Sequence, residues 1–256
     1  GSDAMKNVVF SDIGREVEFK PDIIFEKYLN LTESDVRKFL YGTKLQEIDC
    51  PACKSSEKTK TFLKFGFEYV ECKNCGTIYM SPRPSDAQIK EHFLNSESAR
   101  FWRDTLSKAT DNKRKEKIYY PRLQWIIGMG EEYLQDGKNI ADFNSRNVDY
   151  IAELLDTPHF ENKYVVNPYF PVTDVTNGNL KKNLSNASVY DKYPSGGKPI
   201  SMATAFEVID YTADVDAFME TINNMLCKGG LCFISTISIT GFDLQVLWEN
   251  SKSILP

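Results

Sequence analysis

The chain has 256 residues, 41% hydrophobic and 26% charged, the proportions of a folded protein with room for a sizeable core. Its net charge of −5 is uneven: residues 1–120 carry 21 basic and 19 acidic side chains, residues 121–256 carry 10 and 17, so the second half repels a phosphate backbone and nucleic acid is not an expected partner. No apolar run approaches the ~18 residues that span a bilayer and no basic-then-apolar leader opens the chain, so no membrane contact and a cytoplasmic location are expected.

Residues 1–5 read as an expression scar and are set aside. Residues 6–48 read as a helical lead-in. Ile23, Ile24, Tyr28 and Leu31 fall on one helical stripe, and Thr32-Glu33-Ser34-Asp35 offers capping residues for a second helix through Val36, Phe39 and Leu40. Residues 49–85 are short and turn-rich. KFGFEYVEC alternates as a strand does, and SPRPS ends it because proline cannot donate to a ladder. Residues 86–127 read as a helical connector in which Pro121 starts or kinks a helix.

The rhythm then changes to alternating strands and helices. GKNIADF, KYVVNPYF, NASVYD, KPISMATAFEVI and LCFISTIS read as strands; NVDYIAELL and DVDAFMETINNMLCKGG read as helices, the latter stopped by its glycines. Such alternation implies a parallel sheet with helices on its faces, here over residues 128–256.

Four of the six cysteines form two C-x2-C pairs, Cys50 with Cys53 and Cys72 with Cys75, eighteen residues apart. Zinc takes four thiolates at tetrahedral corners, and two such turns supply them, so the spacing points to a zinc ribbon. With all four positions held by cysteine, the metal is expected to be structural, stabilising a segment too small to bury its own core. Neither pair opens a helix of a thioredoxin-like unit, the setting of redox pairs. Cys227 and Cys232 read as small core hydrophobes. His92 and His159 have no partner at ligand spacing and read as packing or surface residues. The basic run KRKEK (113–117) reads as a solvated helix face.

The run Glu207-Val208-Ile209-Asp210-Tyr211, a following helix, and Leu226-Cys227-Lys228-Gly229-Gly230 before a buried strand resemble the second half of class I S-adenosylmethionine-dependent methyltransferases. The two C-x2-C pairs, the Pro-Arg-Pro segment in SPRPS, Phe101-Trp102 and KIYYPR resemble the branch of that family with an N-terminal zinc ribbon. The resemblance covers about residues 49–250. It implies a Rossmann-like α/β sheet preceded by the ribbon and a helical segment, and S-adenosylmethionine as cofactor. It also implies a sheet cut short at its C-terminal end, since few residues follow LCFISTIS, and an open sheet edge follows from that.

On the same resemblance, Asp142-Phe143-Asn144-Ser145-Arg146-Asn147-Val148 matches the family's Asp-x-Gly-x-Gly-x-Gly cofactor loop. Asp142 is kept, while Asn144, Arg146 and Val148 stand where the glycines would. Asn167 takes the place of the acidic residue that binds ribose hydroxyls, Tyr211 that of a histidine, and Ser201 lies near a usual aspartate. The implied cofactor residues are therefore Asp142, Asn144, Arg146, Asn167 and Glu207. Two functional readings follow. One is methyl transfer to a small molecule such as a sugar or surface-polymer precursor, with Asp210 or Tyr211 orienting the acceptor. The other is a methyltransferase-like domain without cofactor binding, acting as a binding or scaffold module. The expected partners are the acceptor, a protein at the open sheet edge, or a second copy of the chain.

Overall fold

The computed structural model describes residues 16–145, 147–167, 187–190, 199–252 and 254. The lead-in contains Glu16–Phe19 (α1) and Asp22–Phe39 (α2). No break occurs at Thr32–Asp35, where a second helix was expected to start. Thr32 Oγ1 donates instead to the Tyr28 carbonyl one turn back at 2.9 Å, which a helix interior tolerates. The Asp35 carboxylate caps a different helix: it accepts from the backbone N–H groups of Glu97 (3.2 Å) and Ser98 (2.6 Å), the free donors opening Glu97–Phe101.

The segment KFGFEYVEC is a hairpin rather than one strand. Lys58–Lys64 (β1) and Phe67–Cys72 (β2) pair antiparallel across Phe65 and Gly66, which take φ of 51° and 81°, the left-handed values that tight hairpin turns require. Ile78–Met80 (β3) adds to β2. Alternation gives this small sheet two buried faces. Phe67 and Tyr69 pack on Val36 of α2 and on Leu40 just past its end, while Val70 and Tyr79 gather with Cys50 and Cys72.

The connector is helical almost throughout: Asp86–Asn95 (α3), Glu97–Phe101 (α4), a π-helical stretch Trp102–Ser107, Lys108–Arg114 (α5), a second π-helical stretch Lys115–Tyr119, and Tyr120–Tyr133 (α6). Ser85 and Gln88 form a reciprocal capping box at the start of α3. Pro121 sits in the first turn of α6, where its missing N–H costs nothing.

The large sheet holds Asn139–Phe143 (β4), Asn162–Val166 (β5), Ala187–Tyr190 (β6), Ile200–Phe206 (β7) and Leu226–Ser235 (β8). All pairings are parallel and the order is β6-β5-β4-β7-β8. Numbered by appearance among the described strands, that is 3-2-1-4-5, which is Rossmann-like, the sheet class expected from the sequence. Val148–Asp156 (α7), Val215–Met225 (α8) and Phe242–Leu247 (α9) complete the described elements. β7 is buried along its whole length, as befits a central parallel strand. On one face, Tyr119, Leu123 and Ile126 of the connector pack on Ile140, Met202 and Phe206; on the other, Ala141, Ala203 and Ala205 meet Ile222 of α8.

Two expectations about the last strand are corrected. Gly229 and Gly230 do not end the helix, which stops at Met225. They form a bulge inside β8, where the register jumps from Ile200↔Leu226 to Met202↔Leu231. Gly229 has φ 79°, and a Cβ on Gly230 would meet the Ser201 carbonyl oxygen at 3.0 Å. Among the described strands β8 is an edge, so LCFISTIS is only partly buried: Cys232 is exposed and Cys227 half-buried, neither being a core residue.

Candidate metal centre and ligand crevice

The two C-x2-C turns are copies of one local structure. In the first, Lys54 N donates to the Cys50 carbonyl (2.9 Å) and Cys50 N to the Ser55 carbonyl (3.0 Å); in the second, Gly76 N donates to Cys72 (2.9 Å) and Cys72 N to Thr77 (2.9 Å). Each needs left-handed backbone just after its second cysteine. Gly76 supplies it at φ 74°, and Lys54 supplies it at φ 62° despite its Cβ. The sequence signalled the first of these and not the second.

The four sulfurs lie within 4.8 Å of one another, with Cys50–Cys75 at 3.6 Å and Cys53–Cys72 at 3.5 Å. Four thiolates about 2.3 Å from a common ion stand roughly 3.8 Å apart at tetrahedral corners, so this set fits zinc. The surroundings favour sulfur anions on the exposed side. A hydrogen bond from the Asn74 side chain, with the Ser55 backbone, draws the Cys53 thiol down to about 6, and the Thr77 hydroxyl lowers Cys75. Burial pushes Cys50 up to about 11, and an ion there supplies the opposite pull.

The reversal of strand order lies between β4 and β7, and ligands of open α/β sheets bind outside the carboxyl ends of the strands at that point. Asn144 and Glu207, each just past a strand tip, both take left-handed backbone, φ 59° and 58°. Such turns let a backbone approach a ligand closely, and Asn144 adopts one without being a glycine. Its N–H donates to the Val166 carbonyl at 2.8 Å.

Asp142 and Asn167 are both enclosed. Asp142 is fully buried; its carboxylate accepts from Ser145 Oγ (2.8 Å), Ser145 N (3.3 Å) and Thr204 Oγ1 (2.7 Å). Burial raises its pKa to about 6 against the pull of those donors. Asn167 is also buried, and its Nδ2 donates to the Ser145 carbonyl at 2.7 Å. Glu207 is exposed and ion-paired to Arg122 at 3.3 Å. Arg146 lies outside the described residues. Val148 opens α7, behind the Asn147 N-cap. The turns at Asn144 and Glu207 would let a ligand approach the backbone, while the Asp142 carboxylate and the Asn167 Nδ2 make their hydrogen bonds within the chain.

The connector straps this crevice. Ser107 Oγ donates to Asp149 at the start of α7, Asn147 Nδ2 donates to the Tyr119 hydroxyl (2.6 Å), and Arg122 reaches Glu207. Nothing local marks these residues in the sequence, because their partners lie far along the chain.

Beside the crevice is a cavity of about 630 Å³. One wall comes from the two cysteine turns and β3, including Pro51, Gly76, Tyr79 and Met80. The opposite wall comes from Ile209–Thr212 after β7 and Thr236–Ile239 after β8. Asp210 ties those two loops together, accepting from Thr236 Oγ1 (2.5 Å) and Ile237 N (3.2 Å). His92, buried on the cavity wall, packs edge-on against Phe39 and Phe93, and His159 similarly against Phe160, in keeping with packing roles. Among the described residues no helix is long and apolar enough to cross a membrane.

No family profile matches this chain. No curated protein matches it. Among solved structures, the methyltransferase domain of bacterial CtHen1-CN is similar over 50% of this chain and 70% of that one, at 15% identity and a TM-score of 0.37. A likeness of that size adds no argument to the strand order already described.

Proposed function

We propose that this chain is a zinc-ribbon methyltransferase acting on a small molecule. S-adenosylmethionine would be held at the β4–β7 crevice, and the acceptor in the neighbouring cavity. The observation that carries the reading is the parallel order β6-β5-β4-β7-β8, with left-handed turns at Asn144 and Glu207 flanking its reversal point and a cavity opening beside it. The cofactor would supply an activated methyl group. The chain's own contribution is positioning. Asn144 shapes the turn, Glu207 offers the one exposed carboxylate among the described candidate cofactor residues, and Asp210 fixes the two loops that face the cysteine turns. The mixed wall of isoleucines with Asp210, Thr212 and Ser238 suits an acceptor with apolar and hydroxyl-bearing faces, such as a sugar or surface-polymer precursor.

The second reading is a binding module of the same fold without cofactor. It is favoured by the burial of Asp142 and Asn167 and by the hydrogen bonds that the Asp142 carboxylate and the Asn167 Nδ2 make within the chain. Calorimetric titration with S-adenosylmethionine and with S-adenosylhomocysteine separates the two. Micromolar binding supports the enzyme; no heat up to millimolar ligand leaves the binding module.

A further inference from the structure

Tyr79 stands at the middle of β3, opposite Val70 of β2, and shares a buried cluster with Val70, Cys50 and Cys72, against which Cys53 packs. Its ring is well placed there by alternation, since Val70 and Cys72 face the same side of β2. Its hydroxyl is not so easily explained. The oxygen is shut off from solvent and has no hydrogen-bond partner among the described residues. A buried hydroxyl without a partner is a standing cost to the fold and calls for a reason.

The charges around that hydroxyl are negative. The cluster it shares holds the sulfurs of Cys50 and Cys72, and the Asp49 carboxylate precedes the first of them in the chain. Asp49 is exposed and is solvated by water. Cys50 and Cys72 are the two buried members of the metal set. A zinc ion with four thiolates carries a net charge of −2, and in a buried setting that charge draws every available donor. Cys53 and Cys75 already have the Asn74 side chain and the Thr77 hydroxyl. The buried side of the cluster has Tyr79.

We infer that Tyr79 is a positioning residue of the metal centre, its hydroxyl donating to the buried thiolate pair Cys50/Cys72 once the ion is bound. The inference rests on reading the four cysteines as a metal site. It assigns to Tyr79 the tuning of metal affinity and sulfur electron density, beyond filling space.

The test compares the full-length wild type with Tyr79→Phe, each loaded with cobalt. Removing the hydroxyl should leave the far-ultraviolet spectrum of the loaded chain unchanged and weaken metal affinity about tenfold in chelator competition. It should also move the sulfur-to-cobalt charge-transfer band to lower energy, because an unbonded thiolate is more electron-rich. Asp49→Asn should move neither quantity. In the cadmium-loaded wild type, a Tyr79 hydroxyl proton coupled through sulfur to the metal would establish the bond even if the Phe variant folds poorly. A loaded Tyr79→Phe chain with unchanged affinity and band, or an Asp49→Asn chain that alters them in its place, overturns the inference while leaving the metal site intact. A wild type that takes up no cobalt removes both.

Discussion

Arg122 and Glu207 meet at 3.3 Å across the mouth of the crevice, although 85 positions separate them in the chain. The pair is lopsided. The Arg122 guanidinium is pinned 4.3 Å from the centre of the Phe206 ring and 5.7 Å from that of Tyr150, while Glu207 is largely in water. The stacking, rather than the ion pair, fixes the geometry, because an exposed carboxylate contributes little. Arg122→Ala should therefore lower the free energy of urea unfolding by about 1–2 kcal/mol. Arg122→Lys, which keeps the charge and loses the planar stack, should recover less than half of that. Glu207→Gln should be close to neutral by the same measurement.

Asp142 gives the fold a pH dependence with a defined sign. Its folded pKa, about 6, lies above the ordinary carboxylate value of 3.8, so the folded state binds its proton more tightly than the unfolded state does. The group's contribution to stability is therefore fullest below about pH 4 and is lost as pH rises through about 6. A shift of this size corresponds to about 2–3 kcal/mol. Unfolding free energies of the wild type and Asp142→Asn, measured from pH 4 to pH 7, should diverge by about that amount. The wild type loses stability with rising pH relative to the variant. Parallel curves would contradict the assignment.

Restoring an acid at the tip of β5 should harm rather than help. Asn167 donates to the Ser145 carbonyl from a fully enclosed position, and an aspartate there would set a carboxylate against that oxygen. Asn167→Asp is expected to cost about 1–3 kcal/mol in stability, read as a lower melting temperature. S-adenosylhomocysteine binding to the variant, by calorimetry, should not improve unless the side chain turns outward.

Elemental analysis should find one zinc per chain, released on replacement of Cys50 or Cys72 by serine. Those variants should lose the ribbon hairpin, visible as rapid amide exchange across β1 and β2, whereas Cys227→Ser and Cys232→Ser should keep both metal and protection. A metal-free, fully protected wild type would end the zinc assignment.

Much of this architecture was legible in the sequence because it rests on local rules. The cysteine spacing, the left-handed position at Gly76 and the alternation of β4 to β8 with helices all carry their signal in adjacent residues. What escaped depends on distant partners. Asp35 looked like the cap of its own helix, and only the fold brings the free N–H groups of Glu97 and Ser98 to it. Gly229 and Gly230 looked like a helix stop; Gly229 instead supplies the bulge with left-handed backbone at φ 79°, and a Cβ on Gly230 would press on the Ser201 carbonyl of β7 at 3.0 Å. Lys54 repeats the backbone of Gly76 with a residue that gives no hint of it. At the crevice, Asp142, Asn144, Asn167 and Glu207 lie at or just past the ends of β4, β5 and β7. The sequence did not show which way they face, since that is decided by Ser145, Thr204 and Arg122.

Pro51, Ala52, Cys75 and Gly76 belong at once to the cysteine turns and to the wall of the cavity. Whatever fills that space therefore leans on a wall whose shape would depend on an ion held by the four cysteines. If the four cysteines hold an ion, occupant and ion would be linked: whatever factor one exerts on the affinity of the other, it receives in return.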